Sequence, residues 1–159
     1  MIADAGPGRE RILMPGLTID REVMIEAPVE VVWRTITEPD QITQWFADRV
    51  DLVVKPGARG YMGFGEQGGP VVVEVVDPPN RFSFRWNENR GGEPAAGNSM
   101  LVEFTLTPDG DERTHLRVVE SGHESLDWPD AEKRRYADDH QSGWGEYLDR
   151  LAALLGKRQ

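Results

Sequence analysis

The stretch DAEKRRYADDHQSGWGEYLDRLAALLGKR, residues 130–158, decides how the rest of the chain is read. With successive residues placed about 100° apart, Tyr136, His140, Trp144, Tyr147, Leu148, Leu151, Leu154 and Leu155 fall in one sector. Arg134, Arg135, Asp138, Asp139, Glu146, Asp149 and Arg150 fall opposite. This stripe predicts one long amphipathic helix from Asp130 to Arg158, after the break at Pro129. Gly143 and Gly145 each cost up to ~1 kcal/mol relative to Ala. Their place on either side of Trp144 predicts a kink or a close approach to another backbone.

Upstream of Pro129 the period falls to two. Thr18 to Glu26 alternates as a half-buried strand, with Ile19, Val23 and Ile25 on one face. Pro28 suits the first turn of a helix that runs to about Thr37, carrying Val29, Val32, Trp33 and Ile36 at helical spacing. Pro39 opens a second short helix whose apolar residues are Ile42, Trp45 and Phe46. Six strands follow: Val50–Val54, Gly60–Phe64, Val71–Val76, Phe82–Trp86, Met100–Leu106 and Thr114–Glu120. Turn residues separate them, including Pro56-Gly57, a Gly65–Gly69 loop and a polar loop over 90–98. Strand, two short helices, six strands and a long helix predict an α+β domain. A curved antiparallel sheet of about seven strands is covered by the C-terminal helix.

At 159 residues the chain fits one domain, since domains commonly run to roughly 100–150. We expect residues 1–16, rich in Gly and Pro, to form a flexible lead-in, and 17–156 to form a single domain. Without cysteine, thiolate metal sites, disulfides and cysteine nucleophiles are excluded. A net charge of −10 argues against a nucleic-acid partner, which needs a basic surface, and against an anionic membrane. With neither a signal-peptide pattern nor a long apolar run, the expected compartment is the cytoplasm.

A sheet curved around a helix encloses space unless large side chains fill it. The candidates to line a ligand cavity are Trp45, Phe46, Phe82, Phe84, Trp86, Met100, Val102, Phe104, His140, Trp144 and Tyr147. The same residues also suit a solid core, and periodicity cannot separate the two. His140, in mid-stripe, could donate to a ligand carbonyl or serve as general acid or base, and is a weak catalytic candidate. His115 reads as surface or structural, and His123, in a loop, as facing solvent. The three histidines lack metal-ligand spacing, so neither a metal nor a cofactor is expected. Gly63–Gly68 matches G-x-G-x-x-G, but a strand rather than a helix follows, so it reads as a hairpin. Arg21 alternates onto the apolar face of its strand, where it could meet a ligand carboxylate or water.

APVEVVWRTITEPDQITQWF at 27–46, VEVVDPPNRFSFRW at 73–86, VVESG at 118–122 and QSGWGEYLDRL at 141–151 together carry a resemblance. From about Leu17 to Leu155 the chain resembles the START-like helix-grip (SRPBCC) superfamily. Within it, the chain is most similar to the family named for the C-terminal domain of the activator of the ninety-kilodalton heat-shock protein ATPase. The resemblance implies a sheet gripping the C-terminal helix around an apolar cavity. Members of the superfamily bind lipids, sterols, hormones and polyketides, and some catalyse cyclisation or aromatisation. The function expected is therefore binding of a small apolar or aromatic ligand. The alternatives are a polyketide cyclase/aromatase-like enzyme and a chaperone-ATPase regulator-like interaction module. Binding carries more weight than catalysis, because no second catalytic group is placed beside His140 by sequence. A chaperone partner is not expected, since the eukaryotic activators carry a separate chaperone-binding domain. A homodimer is left open. The resemblance also implies Phe where this chain has His123.

Overall fold

The computed structural model describes residues 17–156; the lead-in expected over 1–16 and the last residues of the expected helix lie outside them. Strand β1, Ile19–Ile25, leads into helices α1, Val29–Thr37, and α2, Pro39–Ile42. Strands β2, Arg49–Asp51, β3, Arg59–Phe64, β4, Gln67–Asp77, and β5, Arg81–Trp86, follow. Then come β6, Met100–Pro108, β7, Thr114–Ser121, a 3-10 turn at His123–Ser125, and helix α3, Asp130–Gly156. The strands form one sheet in the order β1-β7-β6-β5-β4-β3-β2. Each neighbouring pair is antiparallel. This is the α+β helix-grip architecture expected from the sequence.

Because β1 and β2 occupy opposite edges, α1 and α2 carry the chain from one edge to the other. Pro39 stands in the first turn of α2, where its missing N–H costs nothing. Beyond α2 the Trp45 indole N–H donates to the Thr35 carbonyl at 2.9 Å, tying the two helices together. Helix α3 lies against β1, and α1 against β6. The register Phe82↔Phe104 and Phe84↔Val102, continued by Phe104↔Val118 and Leu106↔Leu116, stacks apolar side chains across three strands. Those residues are almost completely buried, as are Trp144, Leu148, Leu151 and Leu155 from α3. Removing their apolar surface from water, at about 25 cal/mol per Å², is the main stabilising contribution.

Several boundaries differ from the sequence reading. The second strand is Arg49–Asp51 rather than Val50–Val54. A turn closed by Lys55 N–H to the Val53 carbonyl, 2.9 Å, bends the chain away and leaves Val53 exposed. The short second helix stops at Ile42, before Trp45 and Phe46. The expected Gly65–Gly69 loop is instead a two-residue turn, with Phe64 opposite Gln67 and Gly63 opposite Gly68. Gly68 and Gly69 therefore belong to β4. A Cβ on Gly69 would come within 2.8 Å of the Asn89 amide nitrogen, so the hairpin lies close against the segment after β5. In β4 the register shifts between Val73 and Val75, and the Ser83 hydroxyl accepts the Val75 N–H at 3.1 Å.

Candidate functional site

The inner face of β7 carries Thr114, Leu116 and Val118, all fully buried, and then, by the same alternation, Glu120. Glu120 is 0% exposed. A carboxylate so placed is costly unless each oxygen is satisfied. Oε1 accepts from His140 Nδ1 at 2.9 Å and from Trp144 Nε1 at 2.8 Å. Oε2 accepts from Trp86 Nε1 and from the Tyr136 hydroxyl, each at 2.9 Å. Four donors thus meet the roughly four lone-pair sites of an ionised carboxylate. Three of them come from Tyr136, His140 and Trp144, which the four-residue spacing stacks on consecutive turns of α3.

Burial pushes the Glu120 carboxyl upward, but the His140 charge and hydrogen bond, with the two indole N–H groups, outweigh it and hold it at about 2. For His140, burial acts downward, and the Glu120 charge and hydrogen bond, reinforced by Glu88, raise it to about 9. At neutral pH the pair is an imidazolium and a carboxylate. Tyr136 is raised well above its ordinary value by burial and then by Glu120, so it stays an O–H donor. With Nδ1 committed to Glu120, His140 presents its Nε2–H on the other side, 3.7 Å from Glu88 Oε2. The imidazole stacks on the Tyr136 ring with centroids 3.7 Å apart, and meets Trp86 edge-on.

His140 faces a pocket of about 270 Å³. One wall is the β3–β4 hairpin, with Met62, Phe64, Gly68 and Gly69, and Phe46 closes the end beyond α2. Trp86 and Glu88 form another side, and α3 supplies Asp139, Gly143, Trp144 and Tyr147 beside His140. Phe46 stacks on Trp144 with centroids 5.0 Å apart and meets Tyr147 edge-on at 4.8 Å. Glu88 and Asn89 adopt left-handed backbone, φ 56° and 60°, which non-glycine residues seldom do. The preceding Asn87 is buried, and its Nδ2 donates to the carbonyls of Gly92 and Asn98.

Of the residues proposed from sequence to line a cavity, Phe46, Trp86, His140, Trp144 and Tyr147 border this pocket. Trp45, Phe82, Phe84, Val102 and Phe104 are packed into the main core, and Met100 into a smaller cluster with Leu126 and Tyr136. Sequence reasoning missed Glu120, Glu88 and the hairpin wall. Strand parity offered a signal for Glu120, which shares a face with Leu116 and Val118. His123 does not face solvent: it is 0% exposed, neither ring nitrogen has a hydrogen-bond partner among the described residues, and it lies edge-on to Tyr136. Burial lowers its pKa, so it sits as a neutral ring where the resemblance implied Phe. His115 is on the sheet surface, paired with Glu22. Arg21 is partly exposed, and its Nε and Nη2 donate to the Gln141 carbonyl at 3.0 and 2.9 Å. Gly145 makes room for it, since a Cβ there would lie 2.8 Å from Nη2. The close approach expected at the helix glycines is thus to a guanidinium. Among the described residues no group of three or more His, Asp or Glu side chains is placed to hold a metal.

A seven-stranded antiparallel sheet gripping a long C-terminal helix, with an aromatic pocket against that helix, defines a START-like helix-grip domain. Residues 26–156 match the model of the family described as Activator of Hsp90 ATPase homolog 1-like protein, and the chain belongs to that family. Among solved structures it is similar to protein MLL2253 from Mesorhizobium loti, at 29% identity and TM-score 0.73, over 89% of this chain and 98% of that one. It is also similar to DynU16, from the dynemicin biosynthetic locus, at 28% identity and TM-score 0.70. That likeness covers 89% of this chain and 48% of DynU16, so this chain spans about half of that protein. The Aha1 dimer from Colwellia psychrerythraea, at 19% identity and TM-score 0.69 over 87% of this chain and 95% of that one, shows the same fold. A comparison with curated proteins finds no match. No helix of the described residues is long and apolar enough to cross a membrane.

Proposed function

We propose that the protein binds a small aromatic or otherwise apolar molecule between the β3–β4 hairpin and α3, with an acceptor atom of the ligand on His140 Nε2–H. One observation carries this reading: a ring-lined pocket of about 270 Å³ has a single oriented imidazolium at its wall, fixed from behind by a buried carboxylate. Apolar walls with a few placed polar groups are the usual composition of small-molecule sites. Ring burial supplies affinity, and the N–H supplies orientation.

Titration with 2-acetonaphthone, a planar aromatic ketone, followed by calorimetry and by quenching of Trp86 and Trp144 fluorescence, tests the reading. Saturable one-to-one binding is expected. Gly143 lines the pocket, and a Cβ there meets nothing closer than Tyr147 at 3.9 Å, so the side chain of Gly143→Leu projects into this space. Binding that survives Gly143→Leu undiminished sinks the assignment to this pocket. Native mass spectrometry of the purified protein reports whether a ligand is carried through purification.

The Glu120–His140 pair favours a second reading, a cyclase/aromatase-like enzyme in which His140 delivers a proton from Nε2 as general acid. Turnover of a polyketide substrate that His140→Gln leaves unchanged removes that role. Regulation of a chaperone ATPase rests on the family description alone, and we expect no change in such a rate when the protein is added. A homodimer, the assembly named for the Colwellia protein, is tested by sedimentation equilibrium.

A further inference from the structure

We propose that the ligand of this pocket is a cation: a ring system bearing a basic amine, whose ammonium group sits between Glu88 and Asp139. This rests on the pocket being a ligand site, as above, and concerns the charge of what enters it. Glu88 and Asp139 both line the pocket, and none of the lining side chains is Lys or Arg. His140 is the one lining group able to carry positive charge, and Glu120 lies directly behind it at 2.9 Å. If His140 is protonated, the pair cancels and both rim carboxylates remain; if it is neutral, Glu120 adds to them. The excess is negative in either state. Arg150 lies 5.3 Å from the centre of the Tyr147 ring, outside the lining set, and Asp48 and Glu146 act on that ring with opposite sign.

The ring faces point the same way. Aromatic faces carry negative quadrupole density and attract an ammonium group, more strongly when water is excluded. Phe46, Phe64, Trp86, Trp144 and Tyr147 all border this one space. An anionic ligand would meet those rings and two carboxylates. A neutral ring gains burial but leaves the rim charges unmatched. Glu88 is also held in place: its left-handed backbone follows the buried, hydrogen-bonded Asn87, and Gly69 lets Asn89 approach β4. Backbone strain kept at a ligand-facing carboxylate is consistent with a positioned binding group.

Three probes sharing one ring system separate the possibilities: 2-naphthylmethylamine, protonated at pH 7, 2-naphthylmethanol, and 2-naphthoate. The amine is expected to bind at least about tenfold more tightly than the alcohol, with the naphthoate weakest. Added salt should narrow the gap between amine and alcohol. Glu88→Gln combined with Asp139→Asn, both at the pocket rim, should cut the preference for amine over alcohol several-fold, leaving only what the rings supply. Equal binding of the two by the wild type, or preference for the naphthoate, overturns the charge assignment and leaves the pocket reading standing. A preference for the amine that is undiminished in the double variant overturns the roles of Glu88 and Asp139. If no probe binds the wild type, both the charge assignment and the pocket reading fall.

Discussion

Glu120→Gln keeps the shape of the side chain while removing its charge and one acceptor oxygen. In the native protein Oε1 receives His140 and Trp144, and Oε2 receives Trp86 and Tyr136. Whichever way the amide turns, its NH₂ group can donate to a neutral His140 Nδ1 or to the Tyr136 hydroxyl but faces one indole N–H, Trp144 or Trp86, which can only donate. That orphaned donor costs about 1–3 kcal/mol of a total stability near 5–15 kcal/mol, before the loss of the ion pair is added. His140 also loses the carboxylate that raises its pKa. Burial is then opposed by Glu88 alone, and the pKa falls from about 9. Two measurements check this: urea denaturation of both proteins at pH 7, and NMR titration of the His140 ring. The wild-type ring should titrate near 9, and the ring of the folded variant at a clearly lower pH. A wild-type His140 that titrates at or below 6.5 refutes the ion pair without any variant. Unchanged stability in Glu120→Gln refutes the hydrogen-bond reasoning.

The His140 pKa is raised on folding, so its contribution to stability is complete below about 6.5 and fades as the pH rises through about 9. Glu120, depressed to about 2, contributes fully above 4.5 and loses its contribution as the pH falls toward 2. Denaturation midpoints measured from pH 6 to 10 should therefore fall on the alkaline side, and His140→Gln should flatten that fall. His123→Phe removes two buried nitrogens that have no partner among the described residues and should stabilise the fold by about 1–3 kcal/mol in urea titrations; destabilisation by both His123→Phe and the smaller His123→Leu would refute the reading of an unpaired imidazole. Gly143→Ala should gain up to ~1 kcal/mol from helix propensity, whereas Gly145→Ala should forfeit that gain by pressing on Arg21; equal thermal shifts for the two would contradict the Arg21–Gln141 contact.

The helix and most strands were legible because their periods are strong and local. The α3 stripe and the alternation of Phe82, Phe84 and Trp86 need no tertiary information. Boundaries fail where glycine is read only as a loop former: Gly68 and Gly69 continue β4 because a two-residue turn suffices, a Cβ on Gly68 would press on β3, and one on Gly69 would press on Asn89. The site was half legible for a different reason. Alternation states which face a residue occupies but not how far along the strand the helix seals it. Trp86 therefore borders the pocket while Phe84, two residues earlier on the same face, is closed core. Glu120 had the parity of an inward residue, but a carboxylate is plausible there only once four donors from β5 and α3 are known to converge on it. His123 reads as facing solvent from its place in a loop; its burial depends on Tyr136, supplied by α3 after the intervening turn.

The four-residue ladder of donors on α3 also bears on how the helix finds its seat. Sliding α3 by one turn, about 5.4 Å, would keep an apolar stripe facing the sheet, so hydrophobic burial alone discriminates poorly between neighbouring alignments. Against the buried carboxylate the alternatives are unequal. A slip in one direction brings Leu148 to the place of Trp144 and leaves a lone pair without a donor. A slip in the other brings Glu132 to the place of Tyr136 and sets one carboxylate against another. Only the native alignment offers hydroxyl, imidazole and indole together. Glu120 thus acts as a proofreader of helix placement, rejecting near-miss arrangements that a greasy interface would tolerate.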